Sequence, residues 1–253
     1  MLNKIKRLIK GDRKLFHHFC RSNDLELNYE LNKNEVGILR NIFEDREYAD
    51  YFPFYRQVTI VDIGAHYGYF SIFASKNTNP LSRIISFEPN NGNFKSLVQN
   101  SKDCQVKNIV ASHCAIGGVS GLTKLYAGFN PNHSIVVDYK LLHEHKAYEE
   151  VAVKTLEEIV LENKLSKIDF LKIDCEGAEY SILENTPDAI FDRITTISME
   201  FHDLNDARYT GDTIVELLIK KGFQIVKYQY DKTTMNLNYG KIIGTKLLSD
   251  LKK

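Results

Sequence analysis

The stretch VTIVDIGAHYGYFSIFA, residues 58–74, decides the fold. Val58, Ile60, Val61 and Ile63 form a short apolar, β-branched run, the composition of a strand buried on both faces of a parallel sheet. The run stops at Gly64, and Phe70, Phe73 and Ala74 then recur at helical spacing. A buried strand, a glycine turn and a helix make the opening unit of a nucleotide-type α/β fold, whose ligand sits at the carboxyl end of the strand.

The glycine spacing narrows the ligand. The dinucleotide fingerprint G-x-G-x-x-G uses its second glycine to let the backbone approach a pyrophosphate, and His66 stands at that position here. A NAD-type oxidoreductase is therefore disfavoured, and a ligand with an amino-acid tail and no phosphate fits better. The pattern Asp62-x-Gly64-x-x-x-Gly68 resembles motif I of the class I S-adenosylmethionine (SAM) methyltransferases. That resemblance implies that the backbone at Gly64 and Gly68 passes close to the methionine moiety. RIISFEPN, residues 83–90, reads as the second strand with Glu88 at its end. An acid there can bind both ribose hydroxyls with its two oxygens, as in dinucleotide folds.

Composition excludes several other classes. Among 253 residues, 33 basic side chains balance 33 acidic ones, which leaves no electrostatic footprint for nucleic acid. Four cysteines (Cys20, Cys104, Cys114, Cys175) without C-x-x-C spacing read as reduced thiols of a cytoplasmic protein, not as a disulfide frame or zinc site. No run approaches the ~20 apolar residues of a membrane span. Leu2, Ile5, Leu8 and Ile9 share one helical face with lysines opposite. This reads as a surface helix docking on the core; the rival is an interfacial helix in peripheral contact with a membrane, which Gly11 shortens. Val36, Leu39, Ile42 and Phe43 mark a second helical pattern within residues 34–49. Residues 1–55 are expected to form a helical cap, and residues 56–253 a cofactor-binding domain.

Farther along, VKNIVASHCAIGG (106–118) reads as a third strand running into a glycine turn, with GLTKLYAG as the other arm of a hairpin. Residues 129–150 are the least regular and are expected to form a lid or binding loop. Thr155 and Glu158 have capping-box spacing. KIDFLKIDCEGAEYSIL (167–183) is the second landmark: a buried strand whose end gathers Asp174, Glu176 and Glu179. RITTISMEFHD (193–203) is a fifth strand ending in Glu200, His202 and Asp203. A helix over TGDTIVELLIKKG and a final pair of strands complete an alternating parallel α/β sheet.

Taken in order, DIGAHYGYFSIFA, SFEPN, HSIV, VKTLEEI, LKIDCEGAEY and SMEFHD resemble the FkbM-type methyltransferases over about residues 56–205. The resemblance implies a Rossmann-like, seven-stranded class I methyltransferase sheet of order 3-2-1-4-5-7-6 with strand 7 antiparallel. It further implies SAM as cofactor and methylation of a hydroxyl oxygen on a sugar, glycan or small natural product. By position, Asp62, Gly64 and Gly68 line the methionine end, Glu88 takes the ribose, and Asp174 lies beside the sulfonium and the acceptor. Ala65 and Asn90 complete the expected cofactor set. Cys114 precedes Ala115 where family members often carry asparagine, which bears on the adenine contacts.

Methyl transfer needs an aligned nucleophile and exclusion of water. A hydroxyl is a weak nucleophile, so a base or a metal ion is expected beside it. His202, with an ordinary pKa near ~6.5, is the expected base. Asp174 and Glu176 are the alternative, as ligands of a divalent cation such as Mg²⁺. A catalytically silent SAM-fold binding subunit is the rival from another class, against which the acids at 174–179 argue. A nucleic-acid methyltransferase is disfavoured by the neutral charge and by the lack of an N/D-P-P-Y-like tetrad.

Overall fold

A computed structural model describes residues 12–126, 148–203, 206, 208–232 and 238–246. In chain order the elements are α1 (Arg13–Ser22), α2 (Tyr29–Asn32), α3 (Val36–Phe43), β1 (Thr59–Ile63), α4 (Tyr69–Asn77), β2 (Arg83–Phe87), α5 (Asn91–Asp103), β3 (Ile109–Ser112), β4 (Ala115–Ile116) and β5 (Gly121–Tyr126). They continue with β6 (Tyr148–Lys154), α6 (Leu156–Glu162), β7 (Ile168–Ile173), α7 (Glu179–Glu184), α8 (Asp188–Phe191), β8 (Ile194–His202), α9 (Gly211–Lys220), β9 (Gln224–Lys232) and β10 (Asn238–Thr245).

Seven strands form one sheet in the order β3-β2-β1-β7-β8-β10-β9. The first five run parallel, and β10 is antiparallel to both β8 and β9. Counting only these strands, the order is 3-2-1-4-5-7-6 with the seventh antiparallel, the Rossmann-like class I methyltransferase topology. Period-two alternation sorts the strand side chains between two cores. Val61, Ile63, Ile85, Leu171, Ile173 and Ile197 face the cluster built with α6 to α9. Ile60, Ile84 and Phe170 face the other cluster, where Phe16, Phe19, Leu39, Tyr48 and Phe52 of the N-terminal region pack with Phe70 and Phe73 of α4.

The N-terminal region is thus continuous with the core on one sheet face. Asp12 caps α1 through its carboxylate, and α3 stops at Phe43, short of the expected span, ahead of positive-φ turns at Arg46 and Tyr51. The segment then reaches the far sheet edge through ion pairs of Glu47 with Lys241 and of Asp50 with Lys227. A buried network ties it to the glycine turn. Asn32 and Asn100 exchange amide hydrogen bonds, Tyr69 donates to Asn32 Oδ1 at 2.7 Å, and Asn100 donates to the Tyr67 carbonyl at 2.9 Å.

The expected third strand is corrected. It ends at Ser112, and the chain turns so that Ala115–Ile116 leave for a second sheet of order β4-β6-β5. Buried Cys114 joins the α6–α9 core at this bend, which draws the backbone away from β2. The arm at 121–126 pairs with β6, not with β3. The helical face of Leu2, Ile5, Leu8 and Ile9 lies outside the described residues. So does the expected lid, apart from Tyr148–Glu150, which open β6. The Thr155–Glu158 capping box forms with both bonds in place. No helix among the described residues is long and apolar enough to cross a membrane.

Candidate methyl-transfer site

β1, β2, β7 and β8 end side by side, so their carboxyl-end residues face one crevice. Gly64 adopts φ +74°, and a Cβ there would lie 1.7 Å from the Asp174 carbonyl oxygen. The first turn glycine therefore lets the turn close against the end of β7. Gly68, at φ +81°, starts α4, and a Cβ there would meet the Leu97 side chain at 2.9 Å. Gly64 and Ala65 donate their N–H groups to the Phe87 carbonyl, which fixes the turn to β2.

Asp62 does not reach the surface of the crevice. It is fully buried, accepts from the Ser71 hydroxyl at 2.6 Å, and lies 3.3 Å from the Lys172 ammonium. Alternation turns it toward α4, so it lies beneath the glycine turn that the sequence reading expected it to line with Gly64 and Gly68. Asn90 is also engaged within the protein. Its oxygen caps α5 through the Asn93 N–H, and its amide donates to Glu149.

Glu88 sits at the end of β2, where its Oε2 accepts the His66 N–H at 2.7 Å and its Oε1 accepts the Asn90 N–H at 2.9 Å. The Asn93 amide adds a contact at 3.3 Å. Burial pushes this carboxyl up to about 7 against those bonds. Three donors on two oxygens leave acceptor capacity on Oε2.

On the β7–β8 side, His202 is enclosed by carboxylates. Its Nδ1 lies 3.4 Å from Glu179, and its Nε2 lies 3.4 Å from Glu176 and 3.5 Å from Glu200. The ring stacks against Tyr239. Burial works against charge on the imidazole, but its bonds to Glu179 and Glu200 and the charge of Glu176 carry its pKa up to about 12. The carboxylates around His202 thus favour its protonated form, whereas an isolated imidazole titrates near ~6.5. Burial raises Glu176 to about 7, with Asp174 and Glu179 adding to the rise and His202 opposing it. Glu179 is fully buried and also accepts the Cys175 and Gly177 N–H groups, so it organises the 175–177 turn as well as the ring. Glu176 takes φ +55° in that turn.

Asp174 lies 3.6 Å from the Lys172 ammonium and Glu176 lies beside His202. No group of three or more His, Cys, Asp or Glu among the described residues is arranged to hold a metal ion. The expected Mg²⁺ site thus gains no support: Asp174 faces the Lys172 ammonium and Glu176 faces the His202 ring. Lys172 and Tyr48 escaped the sequence reading. The signal for Lys172 was a lone charge inside the buried run FLKI. Tyr48 gave none; burial and then Asp174 push its hydroxyl pKa well up, so it belongs to the same neighbourhood.

The family profile described as the Methyltransferase FkbM domain matches residues 62–225, more than half of the chain. The chain belongs to the FkbM methyltransferase family. Methyltransferase 1 of Beauveria bassiana is 30% identical over 213 residues, covering 76% of this chain and 83% of that protein. The 31-O-demethyl-FK506 methyltransferase FkbM of Streptomyces tacrolimicus is 29% identical over 228 residues, covering 79% and 86%. Among solved structures, M. capricolum TrmK in complex with S-adenosylhomocysteine (SAH) covers 88% of this chain and 70% of its own, at 12% identity and a TM-score of 0.48. As an FkbM methyltransferase, this chain is an enzyme of methyl transfer that uses SAM.

Proposed function

We propose that this FkbM methyltransferase transfers a methyl group to a hydroxyl oxygen of a sugar, glycan or other small natural product. The observation that carries the reading is the convergence of Glu176, Glu200 and His202 beside Asp174, across the crevice from Glu88. The relative from Streptomyces tacrolimicus, by its name, methylates an oxygen of such a compound.

The residues fit SAM. Glu88 offers a buried carboxylate with acceptor capacity for ribose hydroxyls. The turn at Gly64, Ala65 and Gly68 presents backbone without bulk, and Asp174 stands beside it with its side chain 29% exposed. When bound, SAM supplies an electrophilic methyl group on a cationic sulfur. Glu176, raised to about 7, takes the proton of the acceptor hydroxyl, a strength suited to a general base near neutral pH. The His202 imidazolium stays charged between Glu176, Glu179 and Glu200 and steadies the carboxylate before and after it accepts the proton. Burial of this cluster keeps water from competing for the methyl group.

The test is incubation with methyl-labelled SAM and fractionated glycans and metabolites, followed by identification of the labelled product. A methyl ether formed at a hydroxyl supports the proposal. Label found only on nitrogen or carbon sinks it.

A further inference from the structure

Lys172 is a buried lysine, 4% exposed, in the middle of an apolar strand. Strand register sets it between Asp62 on β1 and Ser198 on β8, and Asp62 in turn pairs with Ser86 on β2. A polar row therefore crosses four strands under the carboxyl end of the sheet, on the face that packs against α4. Its ammonium donates to the Gly64 carbonyl at 2.7 Å and lies 3.3 Å from Asp62 and 3.6 Å from Asp174. A buried ion pair adds little stability over well-packed hydrophobic residues of the same volume, so stability alone does not account for this lysine. Its hydrogen bond ends on the glycine turn, and its charge joins one sealed carboxylate to one that faces the crevice.

We propose that Lys172 is a positioning residue of the methyl-donor site: it anchors the Gly64 carbonyl and sets, through Asp62 and Asp174, the charge presented to the donor's sulfonium. This rests on the SAM site described above. Asp62 cancels the lysine's charge, which leaves Asp174 negative toward a cationic ligand. SAM carries the sulfonium and SAH does not, so the pair of ligands reads charge and anchoring separately.

The experiment measures the affinities of SAM and SAH by calorimetry for wild type, Asp62→Asn and the double variant Asp62→Asn/Lys172→Met, with thermal melts to verify folding. Neither variant buries an unpaired charge, because Lys172 keeps Asp174 and the Ile63 and Gly64 carbonyls in the first and is absent from the second. In Asp62→Asn the lysine's charge bears on Asp174 alone, and the preference for SAM over SAH should fall several-fold. In the double variant that preference should return to the wild-type ratio, while both ligands bind at least about tenfold more weakly because the Gly64 carbonyl has lost its donor. A lysine that merely filled space would leave the ratio equal in all three proteins. That result, or wild-type affinity for both ligands in the double variant, overturns the proposal. A wild-type protein that binds neither ligand refutes the donor site itself, not the role of Lys172 within it.

Discussion

With Glu88 as the ribose ligand, SAM affinity should depend on pH near neutrality. The Glu88 carboxyl is 5% exposed and raised from 4.5 to about 7 by burial. Hydroxyl donors favour its ionised form, so ligand binding should draw the proton off. With a folded pKa of about 7, roughly one carboxyl in eleven is ionised at pH 6 and ten in eleven at pH 8. SAM should therefore bind roughly tenfold more weakly at pH 6 than at pH 8, a difference of about 1.4 kcal/mol. The linkage sign for stability follows the same raised pKa. The unfolded chain loses this proton from pH 4.5 upward while the folded chain keeps it to about 7, so the free protein loses stability as pH rises through that window and SAM restores it. Calorimetry at pH 6, 7 and 8, in buffers of different ionisation heat, measures both the affinity and the proton released. Glu88→Gln should remove most of the slope, and Glu88→Ala should cost about 1.5 to 3 kcal/mol of binding at pH 8. Equal SAM affinity at pH 6 and pH 8, or an undiminished slope in Glu88→Gln, would refute the reasoning.

Other changes act at separate places. Glu176→Gln should lower turnover by ~10² to 10⁴ with SAM affinity nearly unchanged, and His202→Ala should lower it through the loss of the ring that faces Glu176; near wild-type turnover in both variants would place the proton chemistry elsewhere. EDTA should leave turnover intact, because Asp174 and Glu176 face Lys172 and His202; loss of activity that Mg²⁺ restores would overturn this. Gly64→Ala should cost at least about 3 kcal/mol, since its Cβ would overlap the Asp174 carbonyl oxygen at a left-handed φ; a soluble variant melting within a few degrees of wild type would count against that packing. Asn32→Ala should cost about 2 to 4 kcal/mol by stranding groups of Asn100 and Tyr69, as read by urea unfolding.

Much of this was legible in the chain. The strand–glycine–helix unit at 58–74, the acid at the end of RIISF and the acid-rich end of KIDFLKI follow from local pattern: hydrophobic period, turn residues and spacing act within a few residues of one another. Their order identified the sheet and its family. Local pattern also yielded the Thr155 capping box, which needs only a hydroxyl and a carboxylate three residues apart. It failed at Cys114, where a core contact with distant helices bends the chain out of the third strand.

The chemistry inside the site was decided by tertiary structure. Asp62 looks like a ligand in sequence, yet strand alternation and the register with Lys172 turn it beneath the turn it was expected to line. His202 looks like an ordinary imidazole in sequence, yet Glu176 and Glu179 from beyond the end of β7, with Glu200 from its own strand, enclose it and favour its protonated form. Proton affinity depends on which charges lie within a few ångströms and how far water is excluded. Those neighbours come from positions up to 26 residues away along the chain, so residue type alone could name the groups but not their surroundings, which only the folded sheet set.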